Sequence, residues 1–284
     1  MSDKTKIEWT EATWNPTTGC DKVSPGCKNC YAKRDWARLS ANEKTVYYGR
    51  KFEDVATHEE RLILPLRWTK PRLIFVNSMS DLFHQDVPQE FIQEVWVTMA
   101  LARARGHRFQ ILTKRAERMP GSVAALDVEY IQAIYEASAT TMPAWEWPLP
   151  NVWLGVSVED QPRASERVKY LRSTDAAVRW VSYEPALGPV DWYNRWHFIN
   201  WLVCGFESGP DARPGHPDLA RQARDFCQFF SIPFLFKQWG EHKPQFATED
   251  IAFDKKGDFL GWDRVGKKAA GRELDGRTWD EYPK

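Results

Sequence analysis

Short apolar runs alternate with amphipathic stretches along most of the chain. Each run is rich in β-branched and aromatic residues and is apolar on both faces, which is typical of a parallel strand covered on two sides. The runs predict six strands, at Arg72–Ser78, Arg108–Lys114, Val152–Val158, Val178–Tyr183, Trp201–Phe206 and Pro233–Lys237. The amphipathic stretches predict helices at Tyr31–Leu39, Pro88–Arg105, Asp127–Ser138, Gln161–Leu171 and Asp218–Phe230. Strands that alternate with helices indicate βα units around a parallel sheet.

The number of these units favours one barrel over two separate domains. With a further unit before the first apolar run, the chain holds six or seven βα units. We therefore predict an α/β fold, a partial (βα)6-like TIM-type barrel with parallel strands, over residues 1–243. Residues 141–150 are rich in Pro and Trp and predict a loop. Residues 244–284 are polar, and the turn signals Lys256-Gly257 and Asp275-Gly276 predict a C-terminal appendage or lid of loops and hairpins.

Polar residues cluster directly after the apolar runs. They form the groups Asn77–Asp81, Thr113–Arg115, Ser157–Asp160, Ser182–Pro185, Glu207–Ser208 and Lys237–Trp239. Each group follows its run, so each is predicted at the carboxyl end of a strand, where parallel α/β folds build their ligand sites. Any one group has the alternative explanation that strand ends meet water, but six in succession predict a site.

Composition and charge exclude several classes of protein. Lys and Arg number 39 and so do Asp and Glu, which argues against a strongly basic nucleic-acid coat protein but leaves room for a local basic cleft. No apolar run approaches the roughly 18 residues of a membrane span, and the amino-terminal stretch has no apolar signal core. We therefore expect a cytoplasmic protein without a membrane partner. The 15 Trp residues supply large flat surfaces for a core or for ligand stacking.

Three of the five cysteines lie close together in the sequence. Cys20, Cys27 and Cys30 are separated by six and then two residues, and the turn residues between them predict a loop that brings three thiolates together. Convergent thiolates in a reducing compartment usually hold a metal. Three cysteines without a fourth suit a [4Fe–4S] cluster that keeps one iron open for a small-molecule ligand. The isolated Cys204 and Cys227 are predicted to be buried and inert.

Two alternatives remain open for the three cysteines. A structural zinc site needs a fourth ligand, and the candidates are His84, His107, His197, His216 and His242, none of which stands at a recognisable spacing. The second alternative is that the three thiols lie close together by chance and bind no metal.

The cysteine stretch and several strand ends resemble a known family. The similar segments are Asn15–Cys20, Ser24–Ala32, Asn77–Phe83, Leu112–Met119, Trp153–Glu159, Ser182–Asp191, Gly205–Pro214, Phe236–Glu241 and the closing GKKAAGRELDGRTWDEYP. On these segments the chain resembles the phage-associated three-Cys-motif proteins of the radical S-adenosylmethionine superfamily, in the neighbourhood of spore photoproduct lyase-like proteins. The spacing of six residues between Cys20 and Cys27 departs from the three that are commonest in that superfamily.

The resemblance implies a radical enzyme with its cluster at the mouth of a partial barrel. Cys20, Cys27 and Cys30 would bind three irons, and the fourth would chelate S-adenosylmethionine, whose one-electron cleavage yields a 5′-deoxyadenosyl radical. An external electron donor and a separately encoded partner protein are implied as well. The kinship with photoproduct lyase-type enzymes points to a nucleic acid or nucleotide as substrate, in DNA repair or modification. Basic residues near aromatic ones agree with that substrate, namely Arg103, Arg105, Arg108, Lys114, Arg115 and Arg118.

The polar strand ends supply the candidate binding residues. Cofactor binding is assigned to Asn29, Tyr31, Ser78, Ser80, Asp81, Lys114, Ser157 and Glu159. Among them, Lys114 suits the cofactor's carboxylate, and Ser157 and Glu159 suit the ribose hydroxyls. Substrate binding is assigned to Glu184, Glu207, Arg213, Lys237, Gln238 and Trp239, while no catalytic residue is assigned.

Two other functions are compatible with the sequence. One is a non-catalytic zinc- or iron–sulfur-bearing scaffold for the separately encoded partner. The other is a cluster-based redox sensor. Metal content and colour of protein isolated without oxygen separate the radical enzyme from a zinc scaffold.

Overall fold

The centre of the protein is one parallel sheet. The computed structural model describes residues 5–138, 143–245 and 261–283. The sheet strands are β1 (Ala12–Trp14), β2 (Leu73–Val76), β3 (Arg108–Thr113), β4 (Val152–Ser157), β5 (Val178–Tyr183), β6 (Trp201–Gly205) and β7 (Phe234–Gln238). The helices are α1 (Tyr31–Ser40), α2 (Leu64–Arg67), α3 (Gln89–Ala102), α4 (Met119–Ala124), α5 (Val128–Ser138), α6 (Gln161–Ser173), α7 (Pro217–Phe229) and α8 (Lys267–Ala270).

The seven strands lie side by side in the order of the sequence. All neighbouring pairs are parallel, and β1 and β7 form the two edges. The sheet curls into a half-barrel, which confirms the predicted α/β fold with a partial TIM-type barrel. The six predicted strands and five predicted helices are all present within a few residues of their predicted bounds. The first strand, β1, has three residues, too few for its periodicity to be recognised in the sequence.

The two faces of the sheet bury different side chains. Residues such as Ile74 and Val76 point outward and pack against the helices in the main core. The alternate residues point inward, where Phe75, Trp153 and Trp180 form an aromatic interior with neighbouring apolar residues. Gly155 makes room for this packing, because a Cβ there would lie 2.5 Å from the ring of Trp180. Four of the 15 Trp residues, Trp9, Trp153, Trp180 and Trp201, belong to this interior.

The C-terminal segment packs along the free edge of β7. Asp280 forms an antiparallel bridge with Leu235, and Trp279 belongs to the main core. The hydroxyl of Tyr282 donates to the backbone oxygen of Glu8 at 3.3 Å, across 274 positions of sequence. The edge of β7 is thus covered by chain that follows it. The division at residue 244 stays a prediction.

Turns in this segment follow the sequence signals where they are described. Asp275 and Gly276 both have positive φ, 53° and 75°, and join the short antiparallel strands Glu273–Leu274 and Arg277–Thr278. A second hairpin pairs His242–Pro244 with Trp262–Arg264. The predicted turn at 256–257 and the first part of the predicted loop at 141–150 lie outside the described residues; positions 143–150 contain no helix or strand. Within the described ranges, every helix is too short or too polar to cross a bilayer.

Candidate functional site

The cysteine loop lies at the carboxyl edge of the sheet. Gly19, at its start, forms a parallel bridge with Ser80, just beyond the end of β2. A side chain at Gly19 is excluded, because φ is +92° and a Cβ would lie 2.4 Å from the backbone oxygen of Asp54. The loop then makes one 3-10 turn at Pro25–Cys27 and enters α1 directly after Cys30. The loop that carries the three thiols therefore starts at the carboxyl end of β2.

The three thiols have different surroundings. All three cysteines are partly exposed and unpaired. Arg115 Nη1 donates to Cys20 Sγ at 3.4 Å, yet burial, with the charge of Asp81, raises the pKa of Cys20 to about 12. Cys27 Sγ lies 3.7 Å from the hydroxyl of Ser24. Cys20 and Cys30 both pack against the small aromatic core around α1.

The three thiols are of the donor type that iron–sulfur clusters take, but in the described residues they are not gathered around one centre. Three thiols with no histidine among them are the ligands that such clusters take. Among the described residues, no three Cys, His, Asp or Glu side chains lie close enough to hold one metal ion. A structural zinc site would need four such ligands around one centre, and none of the five histidines considered above completes one here.

One anchor of the loop is the carboxylate of Glu159, which follows β4. Glu159 is fully buried, and its Oε1 accepts a 2.7 Å hydrogen bond from the hydroxyl of Ser24. Its Oε2 accepts from Arg167 Nη1 at 3.0 Å, and Lys114 Nζ lies 3.9 Å from Oε1. Gly26 packs directly on this carboxylate, since a Cβ there would lie 2.6 Å from Oε1.

The second anchor is Glu207, which follows β6. Asn29 Nδ2 donates to Glu207 Oε2 at 2.9 Å, and the backbone N and Nε of Arg213 donate to the same oxygen. Arg213 also donates to the backbone oxygen of Pro25 at 3.1 Å. Burial alone would raise the pKa of Glu207, but the hydrogen bonds from Arg213 and Asn29 outweigh it and lower the pKa. Glu159 and Glu207 thus hold the loop from two strand ends.

Asp81 organises the strand end between the loop and β3. It accepts hydrogen bonds from the hydroxyl of Thr113 at 2.8 Å and from the backbone N–H groups of Phe83 and Lys114 at 3.0 Å. Arg115 Nη1 lies 3.7 Å from its Oδ2. Burial raises the pKa of Asp81 despite these bonds. Its oxygens are therefore engaged within the protein, and cofactor binding by Asp81 stays a prediction.

The other polar residues after β2 also bond to neighbours in the chain. The hydroxyl of Tyr31 donates to the backbone oxygen of Ser78 at 2.6 Å. Ser78 itself donates to Asn15 Oδ1 at 3.1 Å, and Ser80 donates to the backbone oxygen of Thr17 at 2.8 Å. These contacts join the loop, β1 and β2 into one rim.

Lys114 and Ser157 meet at the mouth itself. Lys114 Nζ donates to the hydroxyl of Ser157 at 2.9 Å, and the Lys114 side chain keeps 23% of its surface exposed. The ammonium group therefore faces both the protein network and the solvent side. This is the cation that the sequence predicted for a cofactor carboxylate.

The last strands divide their predicted residues between the mouth and the core. Lys237 Nζ donates to Glu184 Oε1, and both side chains lie beside Gly205 at the carboxyl end of β6. Gln238 is buried and donates to the backbone oxygen of Phe206 at 2.9 Å. Trp239 belongs to the main core. Glu184 and Lys237 thus line the mouth, whereas Gln238 and Trp239 do not; substrate binding by any of them stays a prediction.

Three residues of the site lay outside the sequence prediction. Ser24 and Gly26 touch Glu159, and Arg167 supports it from α6. Ser24 and Gly26 are among the turn residues between the cysteines, from which the sequence predicts only a loop. Arg167 resembles any other charged residue of an amphipathic helix. The lone cysteines Cys204 and Cys227 are fully buried, as predicted.

Comparisons with known proteins place the chain in a family without an assigned function. No curated protein matches the sequence. Among solved structures, a cysteine-to-serine mutant of spore photoproduct lyase matches with a TM-score of 0.43 and 11% sequence identity, covering 87% of this chain and 68% of that one. This similarity is too low to carry an argument about chemistry. A family model described as "Protein of unknown function (DUF5131)" matches residues 4–283. The chain belongs to this DUF5131 family.

Proposed function

We propose that the protein is a radical S-adenosylmethionine enzyme. In this proposal Cys20, Cys27 and Cys30 hold a [4Fe–4S] cluster whose open iron binds S-adenosylmethionine. When bound, the pair supplies one-electron cleavage of the sulfonium to methionine and a 5′-deoxyadenosyl radical, with the electron from an external donor. The three-cysteine donor set and its place at the carboxyl edge of a parallel half-barrel support the proposal.

One observation carries the proposal: the cysteine loop and the strand ends form a single bonded unit. Ser24 and Asn29 tie the loop to Glu159 and Glu207, which follow different strands. A thiol loop packed elsewhere on the surface would suit a scaffold or sensor. Three thiols held over a rim of Lys, Ser and Glu side chains suit a site that binds a small polar molecule next to its metal.

The chain's own residues would bind and orient the cofactor. Lys114 offers a cation to the carboxylate of S-adenosylmethionine, and Ser157 offers a hydroxyl beside it. Glu159 is buried between Ser24 and Arg167. We therefore assign it the role of fixing the cysteine loop, in place of the ribose contact expected from the sequence. Asn29 has the same role toward Glu207.

We propose a nucleic acid or nucleotide as the substrate. Exposed Lys22 and Lys28 flank the cysteines and offer cations to phosphates beside the mouth. Lys114 bonds to Ser157, and three others of the basic residues that suggested this substrate also have partners within the protein. Arg103 pairs with Glu146, Arg115 with Asp21, and Arg118 with two backbone oxygens. The substrate thus rests on the loop lysines and on the resemblance.

Anaerobic reconstitution tests the proposed chemistry. Protein loaded with iron and sulfide should be brown, contain about four irons per chain, and release 5′-deoxyadenosine with S-adenosylmethionine and dithionite. The triple variant Cys20→Ala, Cys27→Ala, Cys30→Ala should lose iron and product, whereas the matched control Cys227→Ala should keep both. A colourless protein with one zinc per chain and no 5′-deoxyadenosine would overturn the proposal and favour the scaffold.

A further inference from the structure

Two basic segments meet at the amino edge of the sheet, opposite the cysteine loop. One covers residues 64–72, before β2, and the other covers residues 103–108, between α3 and the first residue of β3. Neither contains Asp or Glu, although the whole chain has 39 acidic and 39 basic residues. Their cations are Arg67, Lys70, Arg72, Arg103, Arg105 and Arg108.

His107 and Gly106 hold the two segments together. His107 Nδ1 accepts a 3.1 Å hydrogen bond from the backbone N–H of Arg72. Gly106 packs on the other segment, since a Cβ there would lie 3.2 Å from Cγ of Pro71. Burial, together with the charges of Arg105 and Arg72, lowers the pKa of His107. The cations of the two segments therefore share one surface.

Most cations of this surface have no partner within the protein. Arg103 is the exception, because it pairs with Glu146. Arg72 lies beside the first residue of β3, whose backbone N–H donates to the Arg72 backbone oxygen at 2.9 Å. The other four cations are exposed, and their side chains make no hydrogen bond or ion pair with any described residue: Arg67, Lys70, Arg105 and Arg108. These four and Arg72 form what we call the amino-edge surface.

Two carboxylates lie next to the amino-edge surface. Glu8 and Glu11 line one cavity together with Arg72 and Arg108. Glu8 already pairs with Lys267, whose Nζ lies 2.8 Å from its Oε1. Glu11 Oε2 accepts a 2.7 Å hydrogen bond from the first backbone N–H of β2. A positive excess therefore remains, with Glu11 offsetting part of it.

The amino-edge surface suits a partner that offers charge without apolar contact. Residues 64–72 and 103–108, all of them described, contribute no large apolar side chain to the exposed surface. A stable protein interface has an apolar core, and a membrane-bound segment inserts apolar side chains. A nucleic-acid backbone needs only cations, since duplex DNA carries one negative charge per about 1.7 Å of its axis. Guanidinium groups, which most of these cations carry, bind phosphate with two donors.

We propose that the amino-edge surface binds the phosphate backbone of a nucleic-acid duplex without reading its sequence. The exposed cations pair with phosphates and release the counter-ions of the duplex. Lys22 and Lys28 flank the cysteines at the other edge of the sheet, so this surface is separate from the proposed substrate site. Because it uses neither a cluster nor a radical, the proposal succeeds or fails independently of the proposed radical chemistry.

Fluorescence anisotropy on the full chain without a cluster tests this surface. The probes are labelled short duplexes of DNA and of RNA, each in two unrelated sequences. We expect a Kd of about 1–100 µM at physiological salt, equal for both sequences, and a slope of about −3 to −4 for log K against log salt. Binding of either duplex supports the assignment, and the tighter one identifies the natural partner. Binding of polyglutamate or phosphatidylserine vesicles in place of both duplexes would overturn it, as would a strong preference for one sequence.

Neutral variants locate the binding within the molecule. The double variant Arg105→Gln, Arg108→Gln should weaken duplex binding at least tenfold and make the salt slope less steep by about 2. The matched control Lys169→Gln, Arg195→Gln removes two exposed cations from α6 and from the loop before β6, and it should bind like the wild type. Urea unfolding of both double variants should match the wild type, because none of the four side chains is buried.

A third double variant separates this surface from the mouth. Lys22→Gln, Lys28→Gln should keep the salt slope and most of the affinity of the cluster-free chain for duplexes. If this variant loses the binding while Arg105→Gln, Arg108→Gln keeps the wild-type affinity and salt slope, the duplex binds at the mouth. That result would overturn the amino-edge surface and leave the proposed function intact.

Discussion

The hydroxyl of Ser24 donates a 2.7 Å hydrogen bond to Oε1 of Glu159, across 135 positions of sequence. Ser24 stands in the cysteine loop, three residues before Cys27, and Glu159 follows β4. The bond therefore fixes the position of the cysteine loop relative to the carboxyl end of β4. Glu159 is fixed in turn by Arg167, so the loop rests on a buried ion pair.

Removing this hydroxyl should loosen the hold of the protein on its metal. We predict that Ser24→Ala releases iron to a chelator about tenfold faster, the lower end of the effect of residues that orient metal ligands. The measurement is iron transfer to a coloured chelator from the reconstituted protein. Ser173→Ala is the control, because the Ser173 hydroxyl donates to the backbone oxygen of Tyr170 within its own helix. Equal release rates for wild type and Ser24→Ala would contradict the anchoring role.

A methyl group at Gly26 should displace the loop. The added Cβ would lie 2.6 Å from Glu159 Oε1, too close for any real contact. We predict that Gly26→Ala lowers the free energy of unfolding by about 1–3 kcal/mol and reduces iron uptake. Gly121→Ala, inside α4, meets nothing within 4 Å and should instead stabilise by up to about 1 kcal/mol. Urea unfolding of both variants would refute the prediction if the two shifts had the same sign.

Replacing Glu159 by a neutral residue should leave the buried guanidinium of Arg167 without its counter-ion. Arg167 is 1% exposed, and breaking a buried pair costs about 3–5 kcal/mol. We predict a loss of this size for Glu159→Gln in urea unfolding. The partly exposed pair Arg163–Glu166 is the control, since Glu166→Gln should cost only about 0–1 kcal/mol. The double variant Glu159→Gln, Arg167→Met should recover part of the stability, and a loss as large as in Glu159→Gln alone would refute the explanation.

Acidification should destabilise the fold through His58. Burial, with the charges of Arg61 and Arg50, lowers the pKa of His58 from 6.5 to about 4. The unfolded chain therefore binds a proton in this pH range that the folded chain refuses, and stability falls as the pH drops from 6.5 toward 4.

The size of this pH effect follows from the difference between the two pKa values. Between pH 7 and pH 5 the loss due to His58 should be about 2 kcal/mol. Urea unfolding at both pH values should give a smaller loss in His58→Gln, which has no imidazole to protonate. His197→Gln, at an exposed position, should keep the wild-type pH dependence. An unchanged loss in His58→Gln would assign the effect to other groups.

The fold was predictable because each strand except β1 is a distinct apolar run. The carboxyl-edge site was predictable for the same reason, since parallel strands place their following residues at one edge. Side chains alternate between the two faces of a strand, so which of those residues face the mouth depends on which alternate positions point inward. Lys237 points inward and Gln238 outward, and the next residue, Trp239, enters the core. A sequence that predicts strand ends only to within a residue leaves this choice open.

The anchors of the cysteine loop were not predictable from the sequence. The roles of Ser24 and Arg167 arise only when a loop and a helix pack on the same strand end. No periodicity or spacing encodes that meeting, because the bonded atoms are far apart along the chain. Glu159 stood out in the sequence as a polar strand end, but nothing in the sequence pairs it with Ser24 of the loop.

The contact between Tyr282 and Glu8 joins two segments that the ribosome synthesises at very different times. Tyr282 also lies against the ring of Trp201, with 5.3 Å between ring centroids, and so adds to the aromatic interior from the far end of the chain. As the ribosome releases the chain from its amino terminus, the tryptophan-lined strands emerge long before this covering residue. The half-barrel therefore cannot be completed until the chain has been synthesised as far as Tyr282, and the nascent chain exposes apolar indole surface until then.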